Sequence, residues 1–249
     1  MKPIYLQLYS VAPLLEKDFF GTLDTVAGIG YAGVEFAGYY GIDAKTMKKE
    51  LEKRNLTAIS SHVSLSRMEK DLQQEIAYLN ELDCHQIVCP YTDMDTLEKA
   101  KKYVEIFNRL GEECAKNGLT LSYHNHNIEL KNQDPILCLD YLYQNTDPQY
   151  LKAQIDVYWI AMSKQNPYEY VAKYANRMTL VHLKQWKNFT NTDAPDGVID
   201  FRKVIDLTDR AIPIYEQENL SCKTGLQSIT RSFRKQFVKD FLIIFFQKR

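Results

Sequence analysis

Leu121-Ser122-Tyr123-His124-Asn125-His126, Ile155-Asp156-Val157-Tyr158-Trp159, Leu180-Val181-His182-Leu183-Lys184 and Ile214-Tyr215-Glu216-Gln217-Glu218 are four short apolar runs. Each delivers polar, metal-competent side chains just before it gives way to a loop. Successive side chains of an extended strand point to opposite faces. The spacing therefore puts His124 with His126, Asp156 with Tyr158, His182 with Lys184 and Glu216 with Glu218 on shared faces. Buried runs that all end in such groups point to one cluster at one end of a parallel barrel.

The rest of the chain alternates strand-like and helix-like segments without a linker or composition break. Strands are expected over Ile4–Tyr9, Gly33–Ala37, Ala58–Val63, Gln86–Cys89, Thr120–His126, Ala153–Trp159, Thr179–Lys184 and Ile212–Gln217. Between them apolar residues recur at helical spacing, as in Leu72, Ile76, Leu79 and Leu82. Helices are expected over Leu14–Ile29, Ala44–Arg54, Arg67–Leu82, Thr96–Asn117, Ile136–Gln144, Tyr168–Tyr174, Phe201–Thr208 and Leu226–Phe241. Asn117-Gly118 reads as a helix stop and Asp134-Pro135 as a helix start. Eight βα units in 249 residues match a single-domain α/β protein of the (β/α)8 TIM barrel type in count and length. A doubly wound sheet would show a glycine-rich turn after a strand. The nearest candidate, Gly28-Ile29-Gly30-Tyr31-Ala32-Gly33, lies at a helix end instead, where its glycines stop the helix and turn the chain.

Composition narrows the function classes. With 45% hydrophobic residues and a formal charge of −1, the chain can bury one sizeable core and has no long-range pull toward nucleic acid or an acidic membrane. Cys84, Cys89, Cys114, Cys138 and Cys222 are odd in number and lack a C-x-x-C spacing, so reduced, largely buried thiols are expected rather than a disulfide framework or a thiolate zinc site. Met1-Lys2-Pro3-Ile4-Tyr5 enters a strand-like run with no apolar signal region, so the expected location is cytoplasmic. From about residue 236 the C-terminal tail is atypical. Its run Phe241-Leu242-Ile243-Ile244-Phe245-Phe246 is far short of the ~20 residues that span a bilayer, and is expected to cover the barrel bottom or to contact a second subunit of a homo-oligomer.

The ordered motifs Gln7-Leu8-Tyr9-Ser10, Ile29-Gly30-Tyr31-Ala32-Gly33-Val34-Glu35, Ser61-His62-Val63, Tyr123-His124-Asn125-His126, Asp156-Val157-Tyr158-Trp159, His182-Leu183-Lys184 and Glu216-Gln217-Glu218 carry a family resemblance. The chain resembles the sugar phosphate isomerase/epimerase family, xylose-isomerase-like TIM barrels related more distantly to endonuclease IV. The resemblance implies a divalent metal at the C-terminal ends of strands five to eight, commonly held by a glutamate, an aspartate, a histidine and a second glutamate. Asp156, His182 and Glu216 match the last three. Where many members read Glu-Asn-His this chain reads His124-Asn125-His126, so His124 stands at the glutamate position, with His126 as its competitor and Glu218 as the competitor to Glu216. Two imidazoles with two carboxylates suit Mn²⁺, Zn²⁺, Fe²⁺ or Co²⁺ better than Mg²⁺ or Ca²⁺.

Gln7, Glu35, His62, His126, Tyr158, Trp159 and Glu218 are the expected substrate contacts. Lys184 has the charge to neutralise an enolate, and Glu216 is the expected base. A metal that chelates a carbonyl and the neighbouring hydroxyl eases loss of the proton between them. The expected activity is isomerisation or epimerisation of a small sugar or keto-sugar. Because strand five supplies an imidazole, a symmetrical two-base epimerase is weakened, and a lyase or hydratase acting on an inositol-type or 3-keto-glycoside ketone is the alternative. A non-catalytic sugar-binding barrel is the alternative of another class. A nuclease would be expected to show more aligned ligands and a basic groove.

Overall fold

The computed structural model describes residues 2–131, 135–218 and 225–238. Eight parallel strands close a barrel: β1 (Tyr5–Gln7), β2 (Gly33–Phe36), β3 (Thr57–His62), β4 (Gln86–Cys89), β5 (Thr120–His124), β6 (Leu151–Asp156), β7 (Met178–Leu183) and β8 (Ile212–Tyr215), with β8 pairing back onto β1. Helices follow the strands, and the main core lies between the two layers, where Leu6, Val34, Phe36, Ile87, Leu121 and Leu183 are buried from the strand side. A separate apolar cluster fills the barrel itself. Val88, Leu180 and Ile214 are fully buried there, with Tyr5, Ile59 and Ile212 packed against them.

The strands occupy the expected segments, β4 with the expected bounds and the other seven ending earlier, and the reasons are local. Strand six does not run to Trp159. The Asp156 carboxylate accepts the Tyr158 backbone N–H at 2.8 Å and so caps a helix over Val157–Met162. The β-branched and aromatic residues that read as strand are the first turn of that helix, and strict alternation does not reach Tyr158. Likewise β1 stops at Gln7, whose side chain accepts the Tyr9 N–H and opens a 3₁₀ turn over Leu8–Val11. The expected helix Leu14–Ile29 is two helices, Ala12–Leu15 and Phe19–Ile29, the second capped by Asp18. Gly30, at φ +115°, ends it as expected, and Gly118, at φ +78°, follows the helix Leu97–Lys116.

The ladder slips twice, between Val34 and Glu35 on β2 and between Ala153 and Gln154 on β6. Such irregularities re-aim side chains, and here each directly precedes a polar group of the barrel interior. The last helix among the described residues, Gly225–Ser232, runs into a π-helical turn, Phe233–Phe237. Asp134, Cys222 and the apolar run from Phe241 to Phe246 lie outside the described residues. Cys84, Cys89, Cys114 and Cys138 are all buried. Among the described residues no helix is long and apolar enough to cross a membrane.

Candidate active site

Directly above the apolar cluster, on the same inward faces, the barrel becomes polar. The steps are short ones along single strands: Leu180 to His182 on β7, Ile214 to Glu216 at the end of β8, Gln154 to Asp156 on β6. One ligand-type atom from each of His124, Asp156, His182 and Glu216 lies within 4.8 Å of the others, and all four side chains are buried. His182 is clamped between two carboxylates, its Nδ1 2.6 Å from Glu216 and its Nε2 2.6 Å from Glu35. Burial opposes charge on this imidazole, but Glu35 and Glu216 outweigh it and lift the pKa to about 10. Burial and the neighbouring imidazoles push His124 the other way, well below the usual range.

Asp156 is the group that fits a cation. One of its oxygens holds the helix cap, whereas Oδ2 is buried without a hydrogen-bond partner among the described residues, 3.9 Å from His124 Nε2. Burial raises its pKa to about 7, with Lys184 acting against that rise. A buried carboxylate oxygen with no donor is costly unless something positive meets it. Two imidazoles and two carboxylates around that oxygen form a donor set suited to a divalent transition metal.

Lys184 is fully buried. Its ammonium lies 2.7 Å from Glu218 and 3.4 Å from Glu216, over the rings of Trp159 and Tyr158. Burial works against its charge, yet the carboxylates raise its pKa above the usual lysine range. The same ammonium, with His182, holds Glu216 well below the ordinary carboxylate range in spite of burial. Glu218 is the more open of the pair, with its side chain 23% exposed against 6% for Glu216, and burial and Glu216 raise its pKa.

The remaining predicted residues divide by depth. Gln7 and Glu35 lie beneath the ligand group, 1% and 0% exposed, joined by a 2.7 Å hydrogen bond from the Gln7 amide. Both Glu35 oxygens are fully engaged by protein donors, so this carboxylate is placed as a floor of the site rather than at its mouth, where a substrate contact was expected. His62 stands between that floor and the cavity, its Nε2 2.8 Å from the Gln154 amide oxygen and 3.1 Å from Glu35. β5 ends at His124, so His126 belongs to the following loop. It nevertheless packs against His124, Trp159 and the half-exposed Tyr91, at ring distances of 5.1, 5.1 and 5.6 Å. Burial lowers its pKa to about 4, and its Nδ1 and the Trp159 indole nitrogen have no hydrogen-bond partner among the described residues. The loop is braced from behind by Glu129, which accepts the His126 N–H and the Tyr123 hydroxyl.

Ser60, Gln154 and Glu129 were not anticipated. Gln154 was within reach, since alternation from Asp156 puts it on the inward face. Ser60 was within reach in the same way, two residues before His62 on one strand, whereas Glu129 carried no such signal because a 3₁₀ turn places it.

Residues 23–211 match the family model described as xylose isomerase-like TIM barrel. The chain belongs to this family. Among curated relatives it is 28% identical over 193 residues to an inosose dehydratase of Clostridium beijerinckii, covering 68% of this chain and 64% of that one. It is 25% identical to the inosose dehydratase of Geobacillus thermodenitrificans over 79% of each. Among solved structures, a sugar phosphate isomerase/epimerase of Parabacteroides distasonis superposes with a TM-score of 0.79 at 25% identity, covering 93% and 92% of the two chains. These relatives are named as enzymes.

Proposed function

We propose that the chain is a divalent-metal-dependent enzyme that withdraws the proton next to the ketone of a small cyclic keto-polyol and eliminates the neighbouring hydroxyl as water. The observation that carries this reading is the asymmetry of the site. Glu216, Glu218 and the Lys184 ammonium stand together beyond the end of β8, whereas β5 brings an imidazole, His124, where an opposed base would need a carboxylate. One-sided proton removal suits elimination or aldose–ketose isomerisation, and the inosose dehydratases among the relatives favour elimination.

His124, Asp156, His182 and Glu216 would hold the metal, a transition ion such as Mn²⁺, Zn²⁺, Fe²⁺ or Co²⁺. Such an ion polarises the ketone oxygen and so acidifies the adjacent C–H. The protein supplies the rest. Glu216 has one oxygen committed to His182 and a depressed pKa, which makes it a good ligand and a poor base. In this reading the proton goes to Glu218, the more open carboxylate, rather than to Glu216. Lys184 faces the negative charge that grows on the substrate oxygens. The proton on Glu218 is then returned to the leaving hydroxyl, so that water departs, a C=C bond forms beside the ketone and the carboxylate is regenerated. Trp159, Tyr158 and His126 form an aromatic wall for one face of the ring.

The test is ultraviolet absorbance of the conjugated ketone when the Mn²⁺- or Co²⁺-loaded protein meets a panel of inososes, ketoses and 3-keto-glycosides. Enone should appear with an inosose and stop on chelation. Interconversion of ketose and aldose without enone would move the assignment to the isomerase reading.

A further inference from the structure

Glu35 collects more donors than any substrate contact needs. Its Oε1 lies 2.7 Å from Gln7 Nε2, 2.6 Å from His182 Nε2 and 3.1 Å from His62 Nε2. Its Oε2 accepts from the Ser60 hydroxyl and from the Gln154 amide nitrogen, both at 2.6 Å. An ionised carboxylate can only accept, so each of these neighbours must present a hydrogen to it. For Gln154 this has a consequence. With its NH₂ turned to Glu35, its carbonyl oxygen faces His62 Nε2 and His124 Nδ1, at 2.8 and 3.0 Å. That oxygen can only accept as well, so the proton of His124 sits on Nδ1. The nitrogen of His124 left with a lone pair is Nε2, the one that faces the unpartnered Asp156 oxygen. By the same logic the metal-free His182 presents a hydrogen from both ring nitrogens, Nε2 to Glu35 and Nδ1 to Glu216, and of the two it is Nδ1 that lies among the ligand group.

We infer that Glu35 is a positioning residue which, directly for His182 and through the Gln154 amide for His124, holds a proton on His182 Nε2 and on His124 Nδ1, leaving His124 Nε2 with its lone pair toward the ligand group and His182 Nδ1 as the nitrogen whose proton a metal would displace. The Glu35 oxygens are taken up by protein donors, and it is not one of the four residues of the ligand group. The inference rests on the metal-dependent reading for its purpose, but its test does not. An outer carboxylate or amide that orients a ligating histidine typically contributes 10–100-fold in metal affinity.

Long-range ¹H–¹⁵N correlation spectra of the histidine rings read the tautomers directly. In the metal-free wild type at pH 8, His124 should carry its proton on Nδ1, and after Zn²⁺ loading His182 should keep Nε2–H. Gln154→Leu removes the acceptor for His124, along with that for His62 and one donor to Glu35, and should shift the His124 tautomer toward Nε2–H while His182, which Gln154 does not touch, keeps Nε2–H. Glu35→Gln should disturb both rings and weaken Zn²⁺ or Co²⁺ binding about 10–100-fold. Should Glu35→Gln fail to fold, the selective effect of Gln154→Leu and the wild-type tautomer still decide the matter. A wild-type His124 protonated on Nε2, or variants with unaltered tautomers, would overturn the inference. Correct tautomers in a chain that takes up no metal would support it and would instead defeat the metal-dependent function.

Discussion

The barrel interior has two halves built on the same strands and differing by a step of two residues. The lower half, around Val88, Leu180 and Ile214, is apolar and needs nothing from its neighbours but volume. The upper half, around Glu35, His124, Gln154, Asp156, His182 and Glu216, is as deeply buried, yet nearly every polar atom there is matched to a specific partner. Among these six residues the buried oxygen without a described partner is Asp156 Oδ2, with His126 Nδ1 and the Trp159 indole nitrogen unpartnered in the wall beside it, and such atoms mark where a ligand belongs. The lower half should therefore govern stability and the upper half function, and the two should separate under mutation.

The largest effect is expected in the upper half. Asp156→Ala or His182→Ala should lower metal occupancy from about one ion per chain to near zero, beyond the roughly 100-fold loss that an outer residue costs, and abolish turnover. Elemental analysis of the dialysed protein checks this, and full occupancy in the double variant would remove these residues from the site. Next comes the base. Glu218→Gln should retain the metal and lose on the order of 10²–10⁴-fold in kcat, whereas Glu216→Gln should weaken the metal as well. Unchanged kcat in Glu218→Gln would return the role to Glu216.

In the lower half, Leu180→Ala should cost about 2–5 kcal/mol of folding stability and leave metal affinity within a few-fold, as measured by urea unfolding and metal titration. A loss of metal binding as large as that of Asp156→Ala would mean that the halves are not separable.

The smallest effect is a pH dependence. His182 is held up to about 10 in the fold, against an ordinary value near 6.5. The folded metal-free chain thus binds a proton that the unfolded chain releases. That contribution to stability is complete below about pH 6.5 and is lost as pH rises through about 10. Asp156, raised to about 7 by burial, acts in the same direction at lower pH. The metal-free protein should accordingly weaken from pH 6 to pH 10, and His182→Asn should flatten the alkaline part of the curve. Zn²⁺ should restore stability at pH 8 while releasing a proton, which calorimetry in buffers of different ionisation enthalpy will count.

Much of the upper half was legible because apolar runs that end in His, Asp or Glu betray strand ends facing a common cavity. His182 with Lys184 and Glu216 with Glu218 follow from alternation alone. What alternation missed are the places where the strand had already stopped. Asp156 caps a helix, so Tyr158 and Trp159 reach Lys184 from a helical turn, and His126 reaches the site from a loop. The depth of Glu35 was hidden for another reason, since a glutamate ending a strand reads the same at the mouth of a barrel as beneath its ligands. Only the partners Gln7, Ser60, Gln154 and His182 distinguish the two.

The central claim, one-sided proton removal with loss of water, is tested most directly by NMR in heavy water with the metal-loaded wild type and an inosose. The account predicts loss of one C–H signal at a single, stereospecific position, together with the vinyl signal of the enone or the deuterated diketone to which it tautomerises. Accumulation of both epimers with deuterium at the exchanged carbon and all hydroxyls retained would contradict it, and would place a second base opposite Glu218.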